Sequence, residues 1–191
     1  MIERTLVLLK PDSVQRSICG EIITRFEKAT LKIVGMKLVH ASEDLVNQHY
    51  ADDEDWYMSV GKKAKAGYVK LGKTSDETER EIGVRIRNQL KSYLSMSPTI
   101  AIVFEGHGAI NKVRAITGDT APLFSAPGTI RGDFSIDSYA LADKANRPIQ
   151  NLIHASDAPE TAAREIKLWF SESELYQYPR VDEELIYRMV E

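Results

Sequence analysis

Apolar positions along the chain fall into two kinds of run. Leu6–Leu9 is continuously apolar, Leu31–Val39 is rich in Ile, Val and Leu, and Thr99–Phe104 is β-branched and begins just after Pro98. Short runs of this kind predict buried strands. Between them the apolar residues recur at helical spacing. Ile22, Ile23, Phe26 and Ala29 form one stripe after Gly20. Ile82, Ile86, Leu90, Tyr93 and Leu94 form a second after Glu79. Ile110 and Val113 begin a third after Gly108, and Ala162, Ala163, Ile166, Trp169 and Phe170 form a fourth. A short fourth strand is expected in Gln150–Ile153. The order β-α-β, helical region, β-α-β, then helix predicts an α+β fold: a ferredoxin-like split βαβ antiparallel sheet covered by helices.

Two stretches interrupt this plan. Residues 51–97 form a long, charged and mostly helical insertion. It opens on Asp52, Asp53, Glu54 and Asp55 and carries a lysine cluster at Lys62, Lys63, Lys65, Lys70 and Lys73. The cluster is either a solvated helix face or a local phosphate or nucleic-acid contact. Residues 138–148 are polar and read as a surface loop. The whole chain is read as a single domain, 1–191, with these two insertions.

Composition narrows the class. The 191 residues are 43% apolar and 28% charged, as in globular proteins. The 25 Lys and Arg nearly balance the 28 Asp and Glu, giving a net charge of −3, so a broad basic face for nucleic acid is not expected. Cys19 is the single cysteine, which excludes an internal disulfide framework and a thiolate metal cluster. No apolar run is long enough for a signal peptide or a membrane span, so a cytoplasmic protein without membrane attachment is expected.

The P-loop spacing G-x-x-x-x-G-K-T occurs once, at Gly67–Thr74, but inside the mostly helical insertion and not after an apolar strand run, so no P-loop is expected; there is no dinucleotide-binding glycine fingerprint and no zinc-protease motif. If phosphates are handled, side-chain cations must hold them. Of the four histidines, His154 has the most suggestive surroundings. Leu152 and Ile153 precede it, and Asp157 with Glu160 reads as a capping box, with Pro159 suited to a first helical turn. His154 is therefore placed on a turn between strand and helix, as an active residue or simply a turn residue. Arg131 lies in Pro127-Gly-Thr-Ile-Arg-Gly-Asp133, where glycines permit an unusual backbone and the guanidinium fork suits phosphate oxygens. Lys10, before Pro11 and Asp12, stands where the first strand ends and could hold phosphate as a point charge or be merely solvated. Tyr50 follows His49 and could equally be a core aromatic.

Together these segments resemble the nucleoside diphosphate kinase family. The resemblance is carried by Glu3–Asp12, Gly20–Glu27, Lys37, Ala41–Glu43, His49-Tyr50, Glu105-Gly106, Arg114 with Gly118–Thr120, Pro127–Asp133, Asn151–Asp157 and Glu165 with Leu168–Phe170, in the family's order. It implies transfer of a γ-phosphate, typically from ATP, to a nucleoside diphosphate by a ping-pong route through a phosphohistidine. His154 is then the nucleophile, and Glu165 bonds its other ring nitrogen, with Ser156 beside that carboxylate. Lys10 holds the γ-phosphate, and Tyr50 lies beside it. Arg114, Thr120 and Arg131 grip the β-phosphate and its neighbours, and Asn151 meets the sugar hydroxyl. Mg²⁺ arrives with the nucleotide, with Asp157 as its water-mediated contact. A homo-oligomer, tetramer or hexamer, is also implied, its contacts built partly by the Pro127–Asp133 loop.

The chain departs from the family after Tyr50, where the segment is roughly doubled and lacks a phenylalanine to stack on the base. Trp56 is the expected replacement, with Tyr57 second. Two other functions compete with the kinase: a nucleotide- or nucleic-acid-binding module using the lysine cluster, and a purely structural subunit.

Overall fold

The computed structural model describes residues 2–188. Its elements run β1 (Ile2–Leu9), α1 (Pro11–Gln15), α2 (Cys19–Lys28), β2 (Lys32–Val39), α3 (Glu43–His49), α4 (Glu54–Lys70), α5 (Glu79–Ser95), β3 (Thr99–His107), α6 (Ala109–Thr117), α7 (Ile130–Phe134), α8 (Tyr139–Lys144), β4 (Ile153–Ala155), α9 (Pro159–Trp169) and α10 (Glu183–Ile186). The strands form one sheet in the order β2-β3-β1-β4, with every neighbouring pair antiparallel. Each βαβ unit is split by a strand of the other, as the ferredoxin-like plan requires.

The sheet is covered on both faces, which explains the unbroken apolar run in β1. Leu6 and Leu8 point to one side and pack with Val46, Leu94, Ile166 and Trp169. Val7 and Leu9 point to the other and pack with Ile22, Phe26, Val113 and Ile130. Successive strand residues face opposite ways, so a strand buried on both faces loses its polar alternation. A third cluster lies off the sheet and joins Ala64 and Tyr68 of α4, Ile82 and Ile86 of α5, and Tyr139, Ala140 and Ala142 of α8.

Residues 51–97 therefore hold a helical hairpin, whose start is set by Asp53 accepting from the Trp56 amide and by a capping box at Thr78 and Glu81. The two helices touch through glycines. A Cβ at Gly61 would lie 1.8 Å from the Glu79 carbonyl oxygen, and one at Gly83 would lie 2.2 Å from that of Tyr57. That contact fixes how α4 is rotated about its axis.

Three local expectations are corrected. The fourth strand is not Gln150–Ile153: it spans Ile153–Ala155, so His154 lies within it and pairs with Leu8 rather than sitting on the following turn. Asp157 and Glu160 do not form a capping box, because the helix starts one residue later, with Ala158 at the N-cap and Pro159 in the first turn. Residues 138–148 are not a loop throughout. Ser138 caps α8, whose buried Tyr139 packs against Gly67 of α4.

Replacing Gly83 by Ala should separate the two helices and destabilise the protein by about 1–3 kcal/mol, despite alanine's better helix propensity. Thermal unfolding checks this; an unchanged or raised Tm would contradict the close contact.

Candidate active site

The site is built where β1 ends and β4 begins. Lys10 closes β1 and Pro11 starts α1, so the chain turns here. Opposite, Leu152 has φ +68, a left-handed backbone that costs a non-glycine residue roughly 1–2 kcal/mol. Side chains hold it there. Asp12 Oδ2 accepts from the Leu152 amide at 3.0 Å, and Ser13 Oγ donates to the Leu152 carbonyl at 2.7 Å, as does the Lys10 amide at 2.8 Å. Arg131 secures the flanking residues, donating from Nε to the Asn151 carbonyl at 3.0 Å and from Nη2 to the Ile153 carbonyl at 2.7 Å. Its Nη1 donates to the carbonyls of Gly118 and Asp119. The arginine expected to grip phosphate thus has most of its fork committed to backbone, and acts first as the brace between the end of α6 and the entry to β4. Burial is the main cause that lowers its pKa, to about 10.

His154 projects from β4, with Nε2 2.9 Å from Glu165 Oε2 on α9. Ser156 Oγ donates to the same oxygen at 2.6 Å. Burial would raise the Glu165 pKa, but the His154 charge and hydrogen bond, His49 and Ser156 outweigh it and hold the carboxyl at about 2. An ionised carboxylate only accepts, so His154 must carry its proton on Nε2, leaving Nδ1 with a free lone pair.

Behind this pair sits His49, which the sequence reading left outside the site. Its ring meets that of His154 edge-on, with centroids 4.5 Å apart. Trp169 Nε1 donates to its Nδ1 at 3.3 Å, and burial holds its pKa well below the usual histidine value. A neutral ring therefore backs the reactive one. The available signal was its place just before Tyr50, near the end of α3.

Every sequence-expected site residue except Ser156 lines one cleft of about 710 Å³. Ser156 stands behind it on Glu165. Lys10 and Asn151 meet on the floor: Lys10 Nζ donates to Asn151 Oδ1 at 2.8 Å, and Asn151 Nδ2 donates to the Thr120 carbonyl at 2.9 Å. Burial above all, with Arg131 adding and Asp12 opposing, lowers the Lys10 pKa to about 7. Tyr50 is buried among core side chains and also borders the cleft. Trp56 reaches the cleft, whereas Tyr57 turns away, donating to Asp52 and packing its backbone on Gly83.

His49, His154 and Glu165 have ligand-type atoms within 4.8 Å of one another. Trp169 and Ser156 already hydrogen-bond within this set, however, and it offers nitrogen where Mg²⁺ prefers oxygen. Among the described residues the cleft carboxylates other than Glu165 are Asp119 and Asp157, too few for a cage; this fits a metal whose remaining oxygens would come from phosphates.

A sequence model described as nucleoside diphosphate kinase matches residues 3–67 and 78–175, so its internal break, 68–77, covers the last residues of α4 and the turn that leads to α5. The nucleoside diphosphate kinase of Pyrobaculum aerophilum is 44% identical over 181 residues, covering 92% of this chain and 99% of that protein. That of Pyrococcus abyssi is 39% identical, covering 95% and 92%. A crystal structure of an NDP kinase from Pyrobaculum aerophilum superposes with a TM-score of 0.86 at 42% identity, covering 93% of this chain and all of that one. A Borrelia burgdorferi nucleoside-diphosphate kinase, solved as a transition-state mimic with vanadate and ADP, gives 0.81 at 34% identity, with 98% of each chain covered. With the His154–Glu165 pair set on a cationic cleft and these matches running nearly end to end, the chain belongs to the nucleoside diphosphate kinase family.

Proposed function

We propose that His154 carries a phosphoryl group from a nucleoside triphosphate to a nucleoside diphosphate, with the cleft holding each nucleotide in turn. The observation that carries this reading is the fixed tautomer of His154. Nε2–H is held by ionised Glu165, so Nδ1 can attack without first losing a proton. The lone pair forms a P–N bond to the γ-phosphorus while the bond to the bridging oxygen breaks, and the diphosphate leaves with that electron pair. The second diphosphate's terminal oxygen then attacks the same phosphorus and frees the ring.

The other residues hold and neutralise. Charge develops on the phosphoryl oxygens and the leaving oxygen. Lys10 meets the γ-phosphate, and Tyr50 borders it. Arg114 and Thr120 take the β-phosphate, Arg131 adds its charge from the wall, and Asn151 meets the sugar. Trp56 stacks on the base, which reads no base edge and leaves specificity broad. Asp157 would hold a nucleotide-bound Mg²⁺ through water, and the metal would neutralise charge on the phosphates. A homo-oligomer, tetramer or hexamer, belongs to the same reading, and β2 presents Met36 and Leu38 exposed on the sheet's outer strand. A nucleic-acid-binding role is disfavoured by the lysine cluster, of which only Lys63 reaches the cleft. Among the described residues no helix is long and apolar enough to cross a membrane.

His154→Ala should lose all measurable phosphotransfer, a fall of at least about 10⁴-fold, while keeping nucleotide affinity and a cooperative thermal transition. Retained turnover would overturn the reading.

Lys10 gives a pH signature. With a pKa of about 7 it is mostly neutral at pH 8, and an arriving polyanion favours its charged form and raises that pKa. Binding Mg-ADP at pH 8 should take up close to one proton, an uptake that shrinks as pH falls below 7 and is absent in Lys10→Met. Calorimetry in buffers of different ionisation enthalpy reads this; equal uptake in the variant would contradict it.

A further inference from the structure

Helix α4 has two working faces. Tyr57, Gly61, Ala64 and Tyr68, spaced i, i+4, i+7, i+11, are buried within the helical cluster. Trp56, Val60 and Lys63 repeat the i, i+4, i+7 spacing one residue earlier and line the cleft. The contacts at Gly61 and Gly83 leave no other rotation, so the packing that holds the hairpin together also delivers Lys63 to the cleft.

Two observations show what Lys63 does there. Arg131, Lys10 and Arg114 are the other cations used for phosphate. Arg131 has most of its N–H groups on carbonyls, and Lys10 is drawn towards its neutral form by burial. Arg164 donates to the Gln48 and His49 carbonyls, so among the described residues the mobile positive charge offered to a polyanion falls to the exposed Arg114 and Lys63. Lys63, in contrast, is exposed, and no hydrogen bond or ion pair from the described residues engages it. Its place along the cleft is also defined. Ala64, the next residue, packs with Ala121, Tyr139 and Ile149, and Ala121 directly follows Thr120. Lys63 thus lies on the cleft wall one residue from the cluster that holds Ala121, whereas Trp56 packs towards Tyr50.

We propose that Lys63 Nζ donates a charge-assisted hydrogen bond to an anionic phosphate oxygen of the bound nucleotide, a contact supplied by the hairpin rather than by the sheet. This rests on the nucleotide-binding part of the function proposed above. Such bonds are the stronger kind, and loss of one should weaken binding by about tenfold.

The test is equilibrium binding of ATP, ADP, GDP and AMP, with Mg²⁺, to the wild-type protein, Lys63→Met and Lys62→Met. Lys62 is its exposed neighbour off the cleft and makes the same change in charge. Lys63→Met should bind ATP and ADP about tenfold more weakly, GDP as affected as ADP, and AMP less than about twofold more weakly, with a shallower salt dependence; Lys62→Met should change each by less than about twofold. A Lys63→Met loss no larger than that of Lys62→Met, or one that follows the base instead of the phosphates, would overturn the proposal. Wild-type protein that binds with this pattern but transfers no phosphate would overturn the catalytic reading and leave this one standing. Wild-type protein that binds none of the four would overturn both.

Discussion

Three consecutive carbonyls, those of Asn151, Leu152 and Ile153, are fastened by side chains and backbone from two distant segments: the turn after β1 and the Arg131 helix. The fastening holds Leu152 in a conformation it would not choose alone. Because Asn151 precedes that residue and His154 follows two positions later, their aim into the cleft depends on it. Asp12, Ser13 and Arg131 thus act on the chemistry through backbone geometry. A loop of free carbonyls here would leave buried acceptors unpaired and the reactive ring free to wander.

The charges around His154 form a second layer of the same arrangement. Glu165 stays ionised, which sets the tautomer, and His49 stays neutral, which keeps a second cation away from the ring that must accept positive charge. Lys10 sits near neutrality until an anion arrives. The free protein avoids a cluster of like charges on the cleft floor, and the nucleotide's own phosphates restore the lysine's charge when it is needed.

Much of the fold was legible because its signals are local. The continuous run in β1 and the stripes of α2, α5, α6 and α9 each follow from neighbours in sequence. What was missed depends on distant partners. β4 is three residues long and follows a left-handed residue held by Asp12 and Ser13, so no local pattern shows that His154 lies in the strand. Residues 138–148 look polar because α8 buries small residues and one tyrosine against a hairpin far away in sequence. Arg131 was found by its glycine-flanked motif, but its four carbonyl partners come from two other segments. The site residues themselves were found through resemblance; His49 and Lys63 became visible only when the helices carrying them were placed against the cleft.

The most direct test is to trap the intermediate. The protein is incubated with Mg²⁺ and γ-labelled ATP, quenched, mapped, and in parallel chased with GDP. A base-stable, acid-labile label on His154 that GDP removes as labelled GTP is the predicted result. No label despite bound ATP, or an acid-stable label on Ser156, would contradict transfer through His154.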